Sequence, residues 1–339
     1  MDHYINTPPK FIVVIGGSAG GLNALIKLVQ HFETGKDVAY CIVLHLSRKA
    51  TGDFVVQRIQ QVTPMECSLA EEGTILKKGH IYVARPNQHM LVKNNKIKLG
   101  AGPEENRWRP SIDVLFRSAA VAYSSHCIGI ILSGLLDDGT SGMWAIKRSG
   151  GYCIAQDPNQ AEFPDMPLSV INNMEVDHIA PLQDIGALIS NITDNINNEG
   201  APVPEDVMAE SKIAEKTAVG IDDVRNLGGL QSAYACPDCG GGLWETQGDV
   251  VKRYRCHIGH AYTERDLVLK QAETAGTTLW VALRMMEERK HLLRKLELEY
   301  KERGHTHTLA HNAAKQMELE GHINKLKEIL GELQNFDAD

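Results

Sequence analysis

The chain has 339 residues, enough for one large domain with smaller additions. Its hydrophobic content of 43% suits a globular protein, and a net charge of −8 argues against non-specific binding to nucleic acid or acidic membranes. No apolar run is long enough to cross a bilayer, and the first four residues begin no leader, so a cytoplasmic setting without membrane insertion is expected.

Over residues 10–192, short apolar runs alternate with amphipathic stretches. Residues 11–15 read as a buried strand, followed by a Gly-rich turn and a helix over about 22–32. Residues 40–44 and 80–84 are further strands. Residues 90–92 and 97–99 flank Asn94-Asn95, a hairpin signal. Helical apolar spacing runs over 111–122, a strongly apolar strand over 127–132, a short helix over 141–148 and another strand over 152–155. This order predicts an α/β fold: a doubly wound, mostly parallel sheet with helices on both faces. Residues 193–231 have few apolar anchors and read as a linker with one short helix. A compact Cys/His element follows over 232–263. Residues 264–335 read as two helices joined near Gly304, a helical hairpin or coiled coil, with Leu279, Leu283, Met286, Leu293 and Leu296 at helical spacing.

Gly16-Gly17-Ser18-Ala19-Gly20-Gly21 lies between a strand and a helix and fits G-x-S-x-G. Such a turn exposes a serine beside a helix N-terminus, whose free N–H groups suit an oxyanion. A plain strand–helix turn would also use small residues. A dinucleotide loop fits less well, because Ser18 stands where its second glycine belongs. A nucleophilic serine needs a base and an orienting acid, both at strand C-terminal ends in such a sheet. His45 ends the second strand, and Asp137 and Asp138 follow the strand over 127–132. His80, His89 and His126 are other available bases, and Asp-Asp-Gly is also a helix N-cap signal.

Taken with further segments, these residues carry a resemblance. The segments are 15–21, Val43-Leu44-His45, 79–86 (Gly-His-Ile-Tyr-Val-Ala-Arg-Pro), His89-Met90, 109–116 (Arg-Pro-Ser-Ile-Asp-Val-Leu-Phe), Leu132-Ser133-Gly134, 138–143, Ala155-Gln156-Asp157 and Met166-Pro167. In this order, over 11–189, the chain resembles the catalytic domain of CheB, the chemotaxis protein-glutamate methylesterases. The resemblance implies Ser18 as nucleophile, His45 as base and Asp138, next to the glycine, as orienting acid, with Asp137 the weaker candidate. It implies demethylation of glutamate methyl esters, and deamidation of glutamines, on a methyl-accepting receptor. The N–H groups of Ala19 and near Leu135 are the oxyanion-hole candidates. Arg109 reads as a substrate contact or an anchor for the helix after it. Two departures stand out. About ten residues precede the first strand, so no receiver domain is expected in cis. Leu135-Leu136 also replaces the family's Met-Gly, which stiffens that loop. A non-catalytic signalling scaffold built on the same fold is the alternative.

Cys236-Pro237-Asp238-Cys239-Gly240-Gly241 is a knuckle of the zinc-ribbon type, and Cys256 with His260 completes a Cys₃His set. His257, adjacent to Cys256, is sterically less suited. A redox C-x-x-C leaves Cys256 and His260 unexplained, and c-type haem needs histidine where Gly240 stands. A structural Zn²⁺ is therefore expected here, with no cofactor for catalysis. The element resembles an appendage of stand-alone CheB-like proteins. Self-association or partner docking is expected of the C-terminal helices. Acidic neighbours of Lys252, Arg253 and Arg255 argue against nucleic acid.

Overall fold

Seven parallel strands carry the first half of the chain in the computed structural model, which describes residues 7–45, 52–195, 200–216, 219–225, 229–302 and 306–336. In chain order the elements are β1 (Phe11–Gly17), α1 (Gly21–Val29), β2 (Val38–Leu44), α2 (Gly52–Gln60), β3 (Glu66–Leu69), β4 (His80–Val83), β5 (His89–Lys93) and β6 (Lys96–Gly100). There follow α3 (Ile112–Tyr123), β7 (Cys127–Ile131), α4 (Thr140–Arg148), β8 (Tyr152–Gln156), α5 (Asp165–Asn173), β9 (His178–Ala180) and α6 (Leu182–Asn195). The sheet order is β3-β4-β2-β1-β7-β8-β9, every pair parallel. The chain winds outward from β1 through β2 and then from β7 the other way. The switch point between β1 and β7 is where such folds place their sites.

Alternation along the central strands sorts two cores. Ile12 and Val14 face Leu115, Phe116 and Ala119 of α3 and Met143 and Ile146 of α4. Phe11, Val13 and Ile15 face Leu25 and Leu28 of α1 and Ile185 and Ile189 of α6. Strands buried on both faces read as unbroken apolar runs, which is why β1, β2 and β7 are visible in the sequence. The less apolar β3, and the segments forming α2, α5, β9 and α6, lack that signal. Asn94 and Asn95, at φ 51° and 57°, make the expected hairpin turn between β5 and β6.

Among the described residues, the stretch expected as a linker with one short helix holds two, α7 (Glu205–Ala214) and α8 (Ile221–Arg225). Val207 joins the main core and Glu210 is buried. A buried glutamate with buried arginine partners looks like solvated surface in a sequence, so composition misread this segment. Next come β10 (Leu230–Ala235), β11 (Gly242–Glu245), β12 (Arg253–Cys256) and β13 (Ala261–Thr263), one antiparallel sheet. Its small core comprises Cys236, Leu243, Tyr254, Cys256, Tyr262 and Leu267.

The chain divides into two compact units, Met1–Leu267 and Val268–Asp339. The second holds a helical hairpin of α9 (Glu264–Glu302), beyond its first turn, and α10 (Thr306–Phe336). Leu283, Leu319, Ile323 and Leu330 are buried, with Leu279, Met286 and Leu293 against them. Leu296 is 38% exposed instead. It falls one position short of the four-and-three step followed by the other leucines, and Glu297 occupies that step, accepting from Gln316 Nε2 at 2.8 Å. The joint near Gly304 lies outside the described residues. No helix among the described residues is long and apolar enough to cross a membrane. The seven cysteines form no disulfide; Cys41, Cys127 and Cys153 are buried and Cys67 is partly so.

Candidate active site

Gly17 of β1 pairs with Leu44 of β2, and His45 N–H donates to the Gly17 carbonyl at 3.0 Å. Ser18 and His45 therefore leave neighbouring strands at the same level, where backbones are about 4.8 Å apart. On the other side, Ser18 N–H donates to the Ser133 carbonyl just after β7. Gly20, at φ 70°, makes the left-handed step into α1. Gly134 has no room for a side chain: a Cβ there would sit 1.8 Å from Met166 Sδ and 3.0 Å from Ser18 Cβ.

His45 Nε2 lies 2.9 Å from Asp138 Oδ2, both side chains buried. The N–H direction departs from the line to that oxygen, but at this distance the attraction between the two groups persists. The ring stacks on Trp108, centroids 4.2 Å apart and planes 9° from parallel. An indole face there would stabilise an imidazolium as it forms. His45 Nδ1 has no hydrogen-bond partner and no hydrogen bond joins it to Ser18 Oγ.

Asp138 sits in a dense set of donors. Oδ1 accepts from Asn106 Nδ2 at 2.8 Å, Ser111 Oγ at 3.0 Å and the Asp113 N–H at 3.2 Å. Oδ2 accepts from the Ile112 N–H at 2.7 Å. Burial pushes the carboxyl up, but His45, Asn106 and the α3 N-terminus together hold it below its ordinary range. Asp113 is the second buried carboxylate, accepting from Asn106 Nδ2 and the Gly139 and Gly142 N–H groups. Burial and then the nearby Asp138 push it up to about 7. The Asn106 amide thus bridges two acids whose environments drive them apart. Asp137 points elsewhere, accepting from Thr263 Oγ1 at 3.1 Å.

Around this site, Leu135 is exposed and Leu136 holds φ 66°, a left-handed conformation costly for a branched side chain. Among the described residues, neither the Ala19 nor the Leu135 N–H has a backbone acceptor. Arg109 Nη1 donates to the Gly102 carbonyl at 2.7 Å, an anchor for its segment. His89 is buried between the Pro103 carbonyl and the Ser111 N–H, His80 bonds Ser68 Oγ, and His126 packs on Phe11; none faces Ser18. Asn106, Trp108, Ser111 and Asp113 are the site residues that sequence reasoning missed. The segment 109–116 was a signal for the last two; nothing marked Asn106 or Trp108.

In the antiparallel element, Cys236, Cys239, Cys256 and His260 bring their ligand atoms within 4.8 Å of one another. Cys239 Sγ and Cys256 Sγ are 3.7 Å apart, and His260 Nδ1 lies 3.7 and 3.5 Å from Cys236 Sγ and Cys256 Sγ. A tetrahedral zinc with its usual bond lengths needs edges of about 3.8 Å between sulfurs and about 3.6 Å from sulfur to nitrogen. The group can hold a metal ion, and His257 stands outside it, against Gly241 and Trp244.

A doubly wound parallel sheet with a serine turn and a buried His–Asp pair at its switch point has the parts of a serine-dependent hydrolase. The model of the CheB methylesterase family matches residues 13–189, and the chain belongs to that family. A relative from Leptospira interrogans is 36% identical over 184 residues, which are 54% of this chain and 95% of the relative. The protein-glutamate methylesterase/protein-glutamine glutaminase 1 of Geobacter metallireducens is 35% identical over 189 residues, 55% of this chain and 52% of that one. The solved catalytic domain of Thermotoga maritima CheB methylesterase aligns with a TM-score of 0.51 at 28% identity, covering 55% of this chain and 98% of that domain.

Proposed function

We propose that the chain is a protein-glutamate methylesterase that also deamidates glutamine, acting on a methyl-accepting sensory receptor through Ser18, His45 and Asp138. The observation that carries this is the buried His45–Asp138 pair, with His45 leaving the strand next to that of Ser18 at the same level. Ser18 Oγ attacks the γ-ester carbonyl and His45 Nδ1, the ring nitrogen that does not lie against Asp138, takes its proton. Asp138 holds Nε2–H and offsets the imidazolium charge. The Ala19 and Leu135 N–H groups receive the oxyanion. His45 returns the proton to departing methanol, and water then repeats the sequence to free the glutamate. Apo enzymes often leave the nucleophile–base contact open, so the absent Ser18–His45 bond fits this scheme.

The catalytic segment is then 10–192, with the metal element over 232–263. Zinc is the metal proposed there. It fits the sulfur-rich set, and four protein ligands leave no open position for substrate, which supports a structural role. Seven unpaired cysteines support a reducing, cytoplasmic setting. Self-association through the hairpin is supported by exposed Val281, Met285 and Leu292 on α9 and is measured by sedimentation.

Purified protein mixed with methylated receptor is expected to release methanol, and Ser18→Ala to abolish the release. Equal release by both proteins rules out Ser18. The strained Leu136 favours a scaffold reading; failure of a fluorophosphonate to label Ser18 in folded protein would support it.

A further inference from the structure

We propose that metal loading of the Cys236–Cys239–Cys256–His260 site positions residues 102–108, and through Asn106 and Trp108 sets the geometry of Asp138 and His45. This rests on the esterase and metal readings above. The path between the two sites is short. His260 is followed by Ala261, whose carbonyl accepts the Asn106 N–H at 2.8 Å, while Ala261 N–H donates to the Glu104 carbonyl. Cys256 is preceded by Arg255, whose Nη2 reaches Glu105 Oε1 at 2.8 Å and whose Nη1 donates to the Gly259 carbonyl. The turn carrying Cys256 and His260 is thus tied on both sides to Glu104, Glu105 and Asn106.

The tie is made of buried charge. Glu105 also meets Arg117 of α3 and, at 3.4 Å, Arg253, and Arg255 meets Glu210 of α7 at 2.6 Å. A buried carboxylate with several guanidinium partners is stable only when all of them stay in place. From Glu105 the chain goes straight to the two residues that touch the site: Asn106, bridging Asp138 and Asp113, and Trp108, stacked on His45. With the turn unanchored, Arg255 and Ala261 lose their fixed positions, and Asn106 and Trp108 lose their support. These two act as positioning residues for His45 and Asp138.

The test uses the full chain under reducing conditions, stripped of metal with a chelator and reloaded with Zn²⁺. Hydrogen exchange is followed over 102–110 and, as a control, over β1 and β2. Methanol release is measured over a range of receptor concentrations. Metal removal is expected to speed exchange over 102–110 with β1 and β2 still protected. It is expected to lower kcat by about 10- to 100-fold, the scale of a 1 Å misplacement, with KM little changed. Glu105→Gln, whose metal ligands are intact, is expected to give the same exchange and kcat changes with one equivalent of zinc still bound. Unchanged exchange and kcat in the stripped protein overturn the proposal, as does loss of protection throughout β1 and β2, which would make the metal a global staple. If the zinc-loaded chain releases no methanol, the esterase reading fails, while the exchange result still decides whether the metal positions 102–108.

Discussion

The serine turn and the aspartate pocket share one end of one sheet, but they are built by different means. Ser18 is presented by contiguous residues: a strand, a glycine turn and the start of a helix, with the Ser18 N–H and the Ala19 carbonyl bonded to Ser133 just after β7. Asp138 is held by the α3 N-terminus, by Asn106 and, beyond them, by arginines of a separate sheet, with Arg255 lying 150 residues from Glu105 in the chain. The half that holds the proposed nucleophile is local and half open to solvent. The orienting half is non-local and dry, so its geometry is only as firm as its distant supports.

The sharpest test of that contrast removes one residue from each half. Ser18→Ala is expected to cut kcat by at least about 10³-fold while leaving stability within about 0.5 kcal/mol, since only a half-buried hydroxyl goes. Asp138→Asn should cost about 10²- to 10⁴-fold in kcat and also about 1–3 kcal/mol, because one amide oxygen cannot serve donors that now bond two carboxylate oxygens. Paired rate measurements and urea melts check both; a stable Asp138→Asn protein would break the comparison. Asn106→Ala removes the side-chain amide that bridges the Asp113 and Asp138 carboxylates, and a loss of about tenfold in kcat is expected.

Acidity probes the dry half directly. Burial, and then Asp137, push Asp266 up to about 8, and Asp113 stands at about 7. Both bind their protons more tightly in the folded state, so their stabilisation is full at low pH and is lost as pH rises from about 4 through 7 and 8. Glu105 and Asp138 are held low and act oppositely, losing their contribution as pH falls through the acid range. Asp266→Asn should shrink the difference in unfolding free energy between about pH 5 and about pH 8 by about 1–2 kcal/mol in urea melts. The smallest effect is expected at Leu136. Leu136→Gly relieves a left-handed residue but frees the unfolded chain, so stability should move by less than about 1 kcal/mol. A change in kcat without a change in stability would show that the loop shape governs the site.

The same contrast explains what could be read in advance. Glycine spacing, a histidine ending an apolar run and an Asp-Asp-Gly after another are local signals, and they point to Ser18, His45 and Asp138. Central strands buried on both faces are legible for the same reason. Asn106 and Trp108 carry no such mark, because their importance comes from what the tertiary fold brings to them. Glu210 and Arg255 are misleading, since charged residues read as solvated surface unless their buried partners are known. Thr263, which meets Asp137 from the far sheet, is equally silent in the sequence.

Trp108 gives the molecule an optical property as well. Its indole lies almost flat against the His45 ring, so its emission depends on that contact. With four tryptophans in the chain, replacing Trp144, Trp244 and Trp280 by phenylalanine would leave a single lamp over the proposed base. Its brightness would then report, without a label, whether the two rings stay stacked when a substrate arrives.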